Sequence, residues 1–214
     1  DTGPNTGGMG TYSDSDHSLP FLEKSHIESA QKINEKTAKA LKHKFGEGYK
    51  GILYGGFIAT NAGVQLIEYN ARFGDPEAMN VLSILDSDLI EICEAIISED
   101  LNNTKIVFKN LATVCKYAVP EGYPDDPVKG HQIDVSEVKN KNILFYASVE
   151  NKNDNLIQIG SRAIAVVGHG ETIWEAEQIA EKNILKVKGP LFHRKDIGTT
   201  DLIQKKINHM SSLK

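Results

Sequence analysis

Three side chains at alternate positions stand out for their chemistry: Glu68, Asn70 and Arg72, within the run LIEYNARFGDPE. On a strand, successive side chains alternate between faces, so Glu68 and Asn70 point one way while Ile67 and Tyr69 point the other, toward a core. A carboxylate and an amide oxygen one pleat apart suit a hard divalent cation such as Mg²⁺, which prefers oxygen ligands and bridges them to nucleotide phosphates. Arg72 follows closely, and its planar fork suits a phosphate or a carboxylate. The same residues serve equally well as a structural ion pair between Glu68 and Arg72 on a sheet face, and twelve residues alone leave both readings open. A second group lies in the opening run DTGPNTGGMG, where Asn5, Thr6, Gly7 and Gly8 offer backbone N–H groups little obstructed by side chains. Such a loop can form an anion-binding nest. It lacks the Lys-Ser/Thr ending of a phosphate-binding P-loop and the strand-before-helix setting of a dinucleotide fingerprint, so by itself it reads as a flexible connection.

The elements that must carry these groups follow from periodicity. A helix is expected after the loop, with Ser25 as N-cap and Glu28 completing a capping box, apolar residues at helical spacing, and Gly46 as its stop. Residues 51–60 and 64–71 are rich in strand formers and are separated by Asn61-Ala62-Gly63, the pattern of an antiparallel hairpin. Asp75-Pro76 supplies a cap and a first-turn proline for a helix. Asp86-Ser87-Asp88 should divide the next apolar stretch into two helices. Strands are expected at 111–119, 143–149, 156–159 and 163–167. A capping box at Thr172 and Glu175 opens a helix through about Val187, and residues 204–214 read as a polar tail. The composition changes character near Asn102, giving two domains, 1–101 and 102–214.

The 214 residues include 24 basic and 29 acidic side chains, a formal net charge of −5. That balance offers no footprint for nucleic acid or an anionic membrane. No apolar run approaches the roughly 18 residues of a membrane span. Cys93 and Cys115 lie in separate apolar stretches and read as reduced core thiols, in keeping with a cytoplasmic setting. Tyr117 and Tyr146 read as core residues, Trp174 as an anchor of its helix to the sheet, and His169 as structural. His193-Arg194-Lys195-Asp196 is a basic cluster that reads as a solvated face, with a substrate phosphate as the other possibility. Because the sequence enters a glycine-rich motif at once, from Asp1, it is expected to be a fragment.

Taken together, DTGPNTGGMG and LIEYNARFGDPE are far more specific than either alone, and they resemble the paired signatures of the phosphoribosylamine–glycine ligases of the ATP-grasp superfamily. The likeness extends through GILYGGF and SDLIEICEAI, and in the second half through EGYP, SRAIAVVGHGETIWEAEQIA and HRKDIG, to about Ile203. It implies an α+β fold: the second half of an ATP-grasp domain, an antiparallel sheet with flanking helices, followed by a small β-rich C-terminal domain with one helix.

The resemblance also implies a reaction of early purine biosynthesis. ATP phosphorylates the carboxylate of glycine, and the amine of 5-phosphoribosylamine attacks the acyl phosphate to give glycinamide ribonucleotide. Glu68 and Asn70 would hold Mg²⁺ or Mn²⁺, and Arg72 would act catalytically on the transferring phosphoryl group. Asn5, Thr6, Gly7 and Gly8 would face an anionic substrate, Asp1 would orient the amine, and Asp75, at least a helix cap, would be a further substrate contact. The oligomeric state is left open, a monomer being compatible. One departure is that Tyr54-Gly55-Gly56-Phe57 carries no acid where many ATP-grasp enzymes place a further metal ligand. The lid that holds adenine in this superfamily would lie upstream of Asp1, so the 214 residues alone are expected to be inactive. Two other readings stay open: a different ATP-grasp carboxylate–amine ligase (or a relative such as a biotin-dependent carboxylase subunit), and a non-catalytic anion-binding fragment.

Overall fold

A computed structural model describes residues 3–213. In chain order its elements are β1 (Gly10–Ser13), α1 (Lys24–Phe45), β2 (Tyr54–Thr60), β3 (Gly63–Asn70), α2 (Glu77–Ser83), α3 (Leu89–Ser98) and β4 (Ala112–Pro120). There follow β5 (Gln132–Ile133), β6 (Leu144–Tyr146), β7 (Val149–Lys152), β8 (Asn155–Gln158), β9 (Ile164–Gly170), α4 (Ile173–Ile184), β10 (Leu191–Phe192) and α5 (Thr200–Ser212). The architecture is α+β with antiparallel sheets throughout. No helix among the described residues is long and apolar enough to cross a membrane.

The chain gathers into two compact units. One holds the residues up to Ser18, Asp75–Ser83 and Asn110–Ile203; the other holds Leu19–Gly74, Ile84–Lys109 and the residues from Gln204 onward. The change of character near Asn102 thus falls inside the second unit. The β1 strand and α2, which sequence order assigns to residues 1–101, pack on the sheet formed by the later residues, because β1 pairs with β4 and the Asn80 amide donates to Thr11 O and Thr113 Oγ1.

The first unit is built on β4. Its nine residues are all buried, since neighbours cover both faces, and a strand so placed loses the usual alternation of polar and apolar residues. Strands β1 and β10 pair with it, as does β9, which is flanked in turn by β6. Helix α4 lies against β9, and the approach depends on Gly168: a Cβ there would stand 1.9 Å from the carbonyl oxygen of Ala176. Val114, Cys115, Val119, Ala165, Val167, Ala176 and Ala180 form one buried cluster, and Ile133, Val138, Ile164, Val166 and Ile184 belong to a second. The capping box of α4 forms as expected, with Thr172 accepting from the Glu175 amide.

In the second unit the β2–β3 hairpin forms with Thr60 paired to Gly63, and a bulge between Gly56 and Phe57 shifts the register. Helix α1 packs on β3, where the Tyr69 hydroxyl lies 2.8 Å from Asn34 Oδ1. Its cap is Glu23, two residues before the expected Ser25. The Glu23 carboxylate accepts from the N3 backbone while His26 Nδ1 accepts from the Glu23 amide, so an imidazole takes the part expected of Glu28. Gly46 ends the helix in the left-handed region. Asp88 caps α3, as the division at 86–88 predicts.

Several expectations are corrected. Residues 200–212 form helix α5 rather than part of a polar tail, with Leu202, Ile203, Ile207 and Met210 half-buried at helical spacing. The strand expected at 143–149 is two short strands, β6 and β7. Ile67, Trp174 and Tyr146 are 65%, 59% and 50% exposed rather than packed inside. Cys115 is buried, but Cys93 is exposed on α3.

Candidate functional site

The predicted residues fall into two local groups, one in each unit, and each is described by itself. In the second unit, β3 holds Glu68 and Asn70 on one face, as its two-residue period requires. Their side chains touch: Asn70 Nδ2 lies 3.1 Å from Glu68 Oε1. Across the hairpin, Gly56 stands opposite Glu68 and Tyr54 opposite Asn70, so the neighbouring strand adds no acid to this face. Among the described residues no ion pair joins Glu68 to Arg72; the Arg72 guanidinium instead donates to the carbonyl of Phe73 at 2.7 Å. Which end of an asparagine amide faces a neighbour is set by what that neighbour is. Turned over, Asn70 would present its oxygen beside the Glu68 carboxylate, and the donor set would then be two oxygens suited to a hard cation with phosphates and water completing the shell. The residues present therefore fit a hard divalent cation with two protein ligands. No cluster of three or more His, Cys, Asp or Glu suited to a metal occurs among the described residues.

In the first unit, the glycine-rich loop is held by side chains from far along the chain. Arg162 donates through Nη1 to the carbonyl of Gly8 at 2.9 Å and forms an ion pair with Asp75 through Nη2. Its guanidinium carbon lies 4.7 Å from the centre of the Tyr117 ring, a cation–π contact. The Tyr117 hydroxyl donates to Asp75 Oδ1 at 3.2 Å, and the Tyr123 hydroxyl donates to the carbonyl of Gly7 at the same distance. Burial, and after it the Asp75 carboxylate, pushes the Tyr117 hydroxyl well above its ordinary pKa of 10 although Arg162 opposes the shift. It remains a donor throughout the neutral range. Gly8 is required by contact: a Cβ there would come within 2.4 Å of the Pro76 ring. The expectation that Asp75 caps the following helix is corrected, since its carboxylate turns to Tyr117 and Arg162. Asp1, expected to orient the amine, lies outside the described residues.

Two models of phosphoribosylglycinamide synthetase match this sequence in order, the ATP-grasp (A) domain over residues 1–78 and the C domain over residues 113–200. The chain belongs to the phosphoribosylglycinamide synthetase family. The phosphoribosylamine–glycine ligase of Methanocaldococcus jannaschii is 54% identical over 217 residues, which take in 100% of this chain and 49% of that protein. The crystal structure of phosphoribosylamine–glycine ligase from Thermotoga maritima matches with a TM-score of 0.72 at 30% identity, covering 92% of this chain and 48% of that one. Urea carboxylase from Kluyveromyces lactis shares the fold alone, at 15% identity and a TM-score of 0.56 over 90% of this chain and 18% of that one. The chain spans about half the length of the curated relatives it matches.

Within this synthetase frame the sequence reading passed over Arg162 and Lys116. Arg162 sits inside the SRAIAVVGHG segment without any local cue, its partners being 87 and 154 positions away. Lys116 is fully buried on β4, 2.6 Å from Glu177 and 2.7 Å from Glu181 on α4, and donates to the carbonyl of Lys195 at 3.0 Å. A cue existed for it: a single lysine inside an apolar strand, and two carboxylates four apart on a helix. The basic cluster at 193–196 is engaged in this neighbourhood, with His193 3.1 Å from Glu181 and Arg194 paired to Asp196.

Proposed function

We propose that the protein carrying this sequence ligates glycine to 5-phosphoribosylamine at the expense of ATP, forming glycinamide ribonucleotide, ADP and phosphate in purine biosynthesis. The observation that carries the proposal is the Glu68–Asn70 pair, a carboxylate and an amide in contact on one exposed strand face. It has the oxygen chemistry needed beside nucleotide phosphates in a chain of this family. Residues 1–101 then belong to the ATP-grasp domain and 102–214 to the C-terminal domain, in the cytoplasm.

The chemistry needs no protein nucleophile. A carboxylate must approach an anionic phosphorus centre, so neutralisation and alignment supply most of the acceleration. Glu68 and Asn70 hold the Mg²⁺ or Mn²⁺, which when bound neutralises charge on the ATP phosphates. Arg72, two residues beyond the end of β3, takes up charge on the transferring phosphoryl oxygens. Asn5, Thr6, Gly7 and Gly8 present N–H groups to the anionic amine substrate, Asp75 stands beside that loop, and Asp1 orients the amine.

In the relatives, the named activity belongs to chains about twice as long. The test is therefore an assay of the full-length protein carrying this sequence, with ATP, Mg²⁺, glycine and phosphoribosylamine. Formation of glycinamide ribonucleotide is the expected result. ADP release with another amino acid and none with glycine would point to a different carboxylate–amine ligase instead.

A further inference from the structure

We infer that Arg162 is a positioning residue for the amine substrate, fixing the glycine-rich loop so that its amides face the substrate's anionic group before it binds; this rests on the function proposed above. The geometry is that of a clamp on consecutive peptide groups. The Gly7 carbonyl is held by the Tyr123 hydroxyl at 3.2 Å and the Gly8 carbonyl by Arg162 at 2.9 Å. The 7–8 and 8–9 peptide bonds are trans, and in a trans peptide the N–H points opposite to the C=O of the same plane. Pinning those two carbonyls therefore turns away from Tyr123 and Arg162 the amide of Gly8, one of the four assigned to the substrate above, and fixes the backbone on into the buried Met9. Left to itself, a segment containing Gly7, Gly8 and Gly10 would sample many backbone states, and ordering it on binding would weaken the complex.

Arg162 is suited to hold the loop rather than to receive the anion. Its charge is already matched by Asp75, its side chain is 19% exposed, and it lies against the Tyr117 ring. Asp75 in turn is fixed from two sides, by Arg162 and by the Tyr117 hydroxyl. One guanidinium thus ties the loop to the start of the segment that carries α2. A lysine cannot reproduce this, because its compact ammonium lacks the planar fork that reaches a carbonyl and a carboxylate together.

The test is steady-state kinetics of the full-length protein with Arg162→Gln and Arg162→Lys, each substrate varied in turn, with thermal unfolding as a check on folding. For Arg162→Gln the KM for phosphoribosylamine should rise about tenfold to a hundredfold, the range expected when a charge-assisted hydrogen bond is lost. The KM values for ATP and glycine should stay within about twofold and kcat should change little. Arg162→Lys should fall between the variant and the wild type. If Arg162→Gln does not fold, Arg162→Lys decides by the same split. An unchanged KM for phosphoribosylamine, a common rise in all three KM values, or a fall in kcat alone would overturn the inference while leaving the proposed reaction standing. A wild-type protein that forms no glycinamide ribonucleotide would overturn both.

Discussion

At the scale of single residues, the functional reading turns on oxygen donors and on how charges are matched. Replacing Glu68 by Gln keeps the shape of the β3 face and removes its charge. The apparent Mg²⁺ requirement of the full-length protein should rise by at least the roughly 10–100-fold that loss of a mere outer-sphere partner costs a metal site. A Mg²⁺ titration of activity checks this, and an unchanged midpoint would remove Glu68 from the metal site. Lys116 offers the complementary case of charge used for structure. It is buried between Glu177 and Glu181, and removing one partner of such a group strands the others in a medium of low polarity. Lys116→Ala should lower stability by about 3–5 kcal/mol in urea unfolding. Lys116→Met combined with Glu177→Gln and Glu181→Gln should recover most of that loss, because no ion then remains unmatched.

At the scale of elements, local signals were legible where they sit within a few residues. The Gly46 stop, the Thr172–Glu175 capping box and the division at Asp86-Ser87-Asp88 each depend on a neighbour one to four positions away, and each formed as read, while the hairpin expected at Asn61-Ala62-Gly63 formed with Gly63 drawn into β3. Two signals competed or were too short. The start of α1 was displaced because Glu23 and His26 make the capping box that Ser25 and Glu28 were expected to make. Helix α5 was missed because its apolar stripe is thin, although Thr199 Oγ1 accepts from the Leu202 amide at its start. Arg162 and Asp75 became a pair through the fold, a relation no local window contains. The α4–β9 contact is a further case, visible only once the elements meet. Gly168→Ala would force the Ala176 carbonyl to retreat, and should cost about 1–3 kcal/mol as an overpacked contact. Thr172→Ala, which loses only a cap, should cost about 1 kcal/mol. Thermal or urea unfolding of both variants ranks the two, and equal effects would mean that α4 can shift freely on the sheet.

At the scale of the whole molecule, the ionic groups set a pH profile. Burial alone would raise the Glu181 carboxyl, but hydrogen bonds from Lys116 and His193 outweigh it and hold the group below its ordinary pKa of 4.5. The hydrogen bond from Arg194 does the same for Asp196, whose ordinary pKa is 3.8. A carboxyl depressed in the folded state stabilises the protein above its unfolded pKa, and that contribution is lost as pH falls through the folded value. Stability should therefore be steady from pH 7 to about pH 5 and decline below about pH 4.5. Replacing Glu181 by Gln should flatten part of that decline in unfolding curves taken at successive pH values. A decline beginning near pH 6 would have to come from other groups.

The two cysteines, one exposed on α3 and the other sealed within β4, give the molecule a built-in reporter. Burial, and after it the charges of Asp75 and Glu77, pushes the Cys115 thiol far above its ordinary pKa of 9.0. Since the thiolate is the reactive form, a maleimide dye should attach within these 214 residues once, at Cys93. Cys115 should be labelled only as β4 opens, so that mass spectrometry of peptides from protein labelled in rising urea would count open molecules directly. Immediate labelling of Cys115 in buffer would mean that the central strand is not closed. With single labelling, a fluorophore fixed on α3 becomes available without engineering a cysteine.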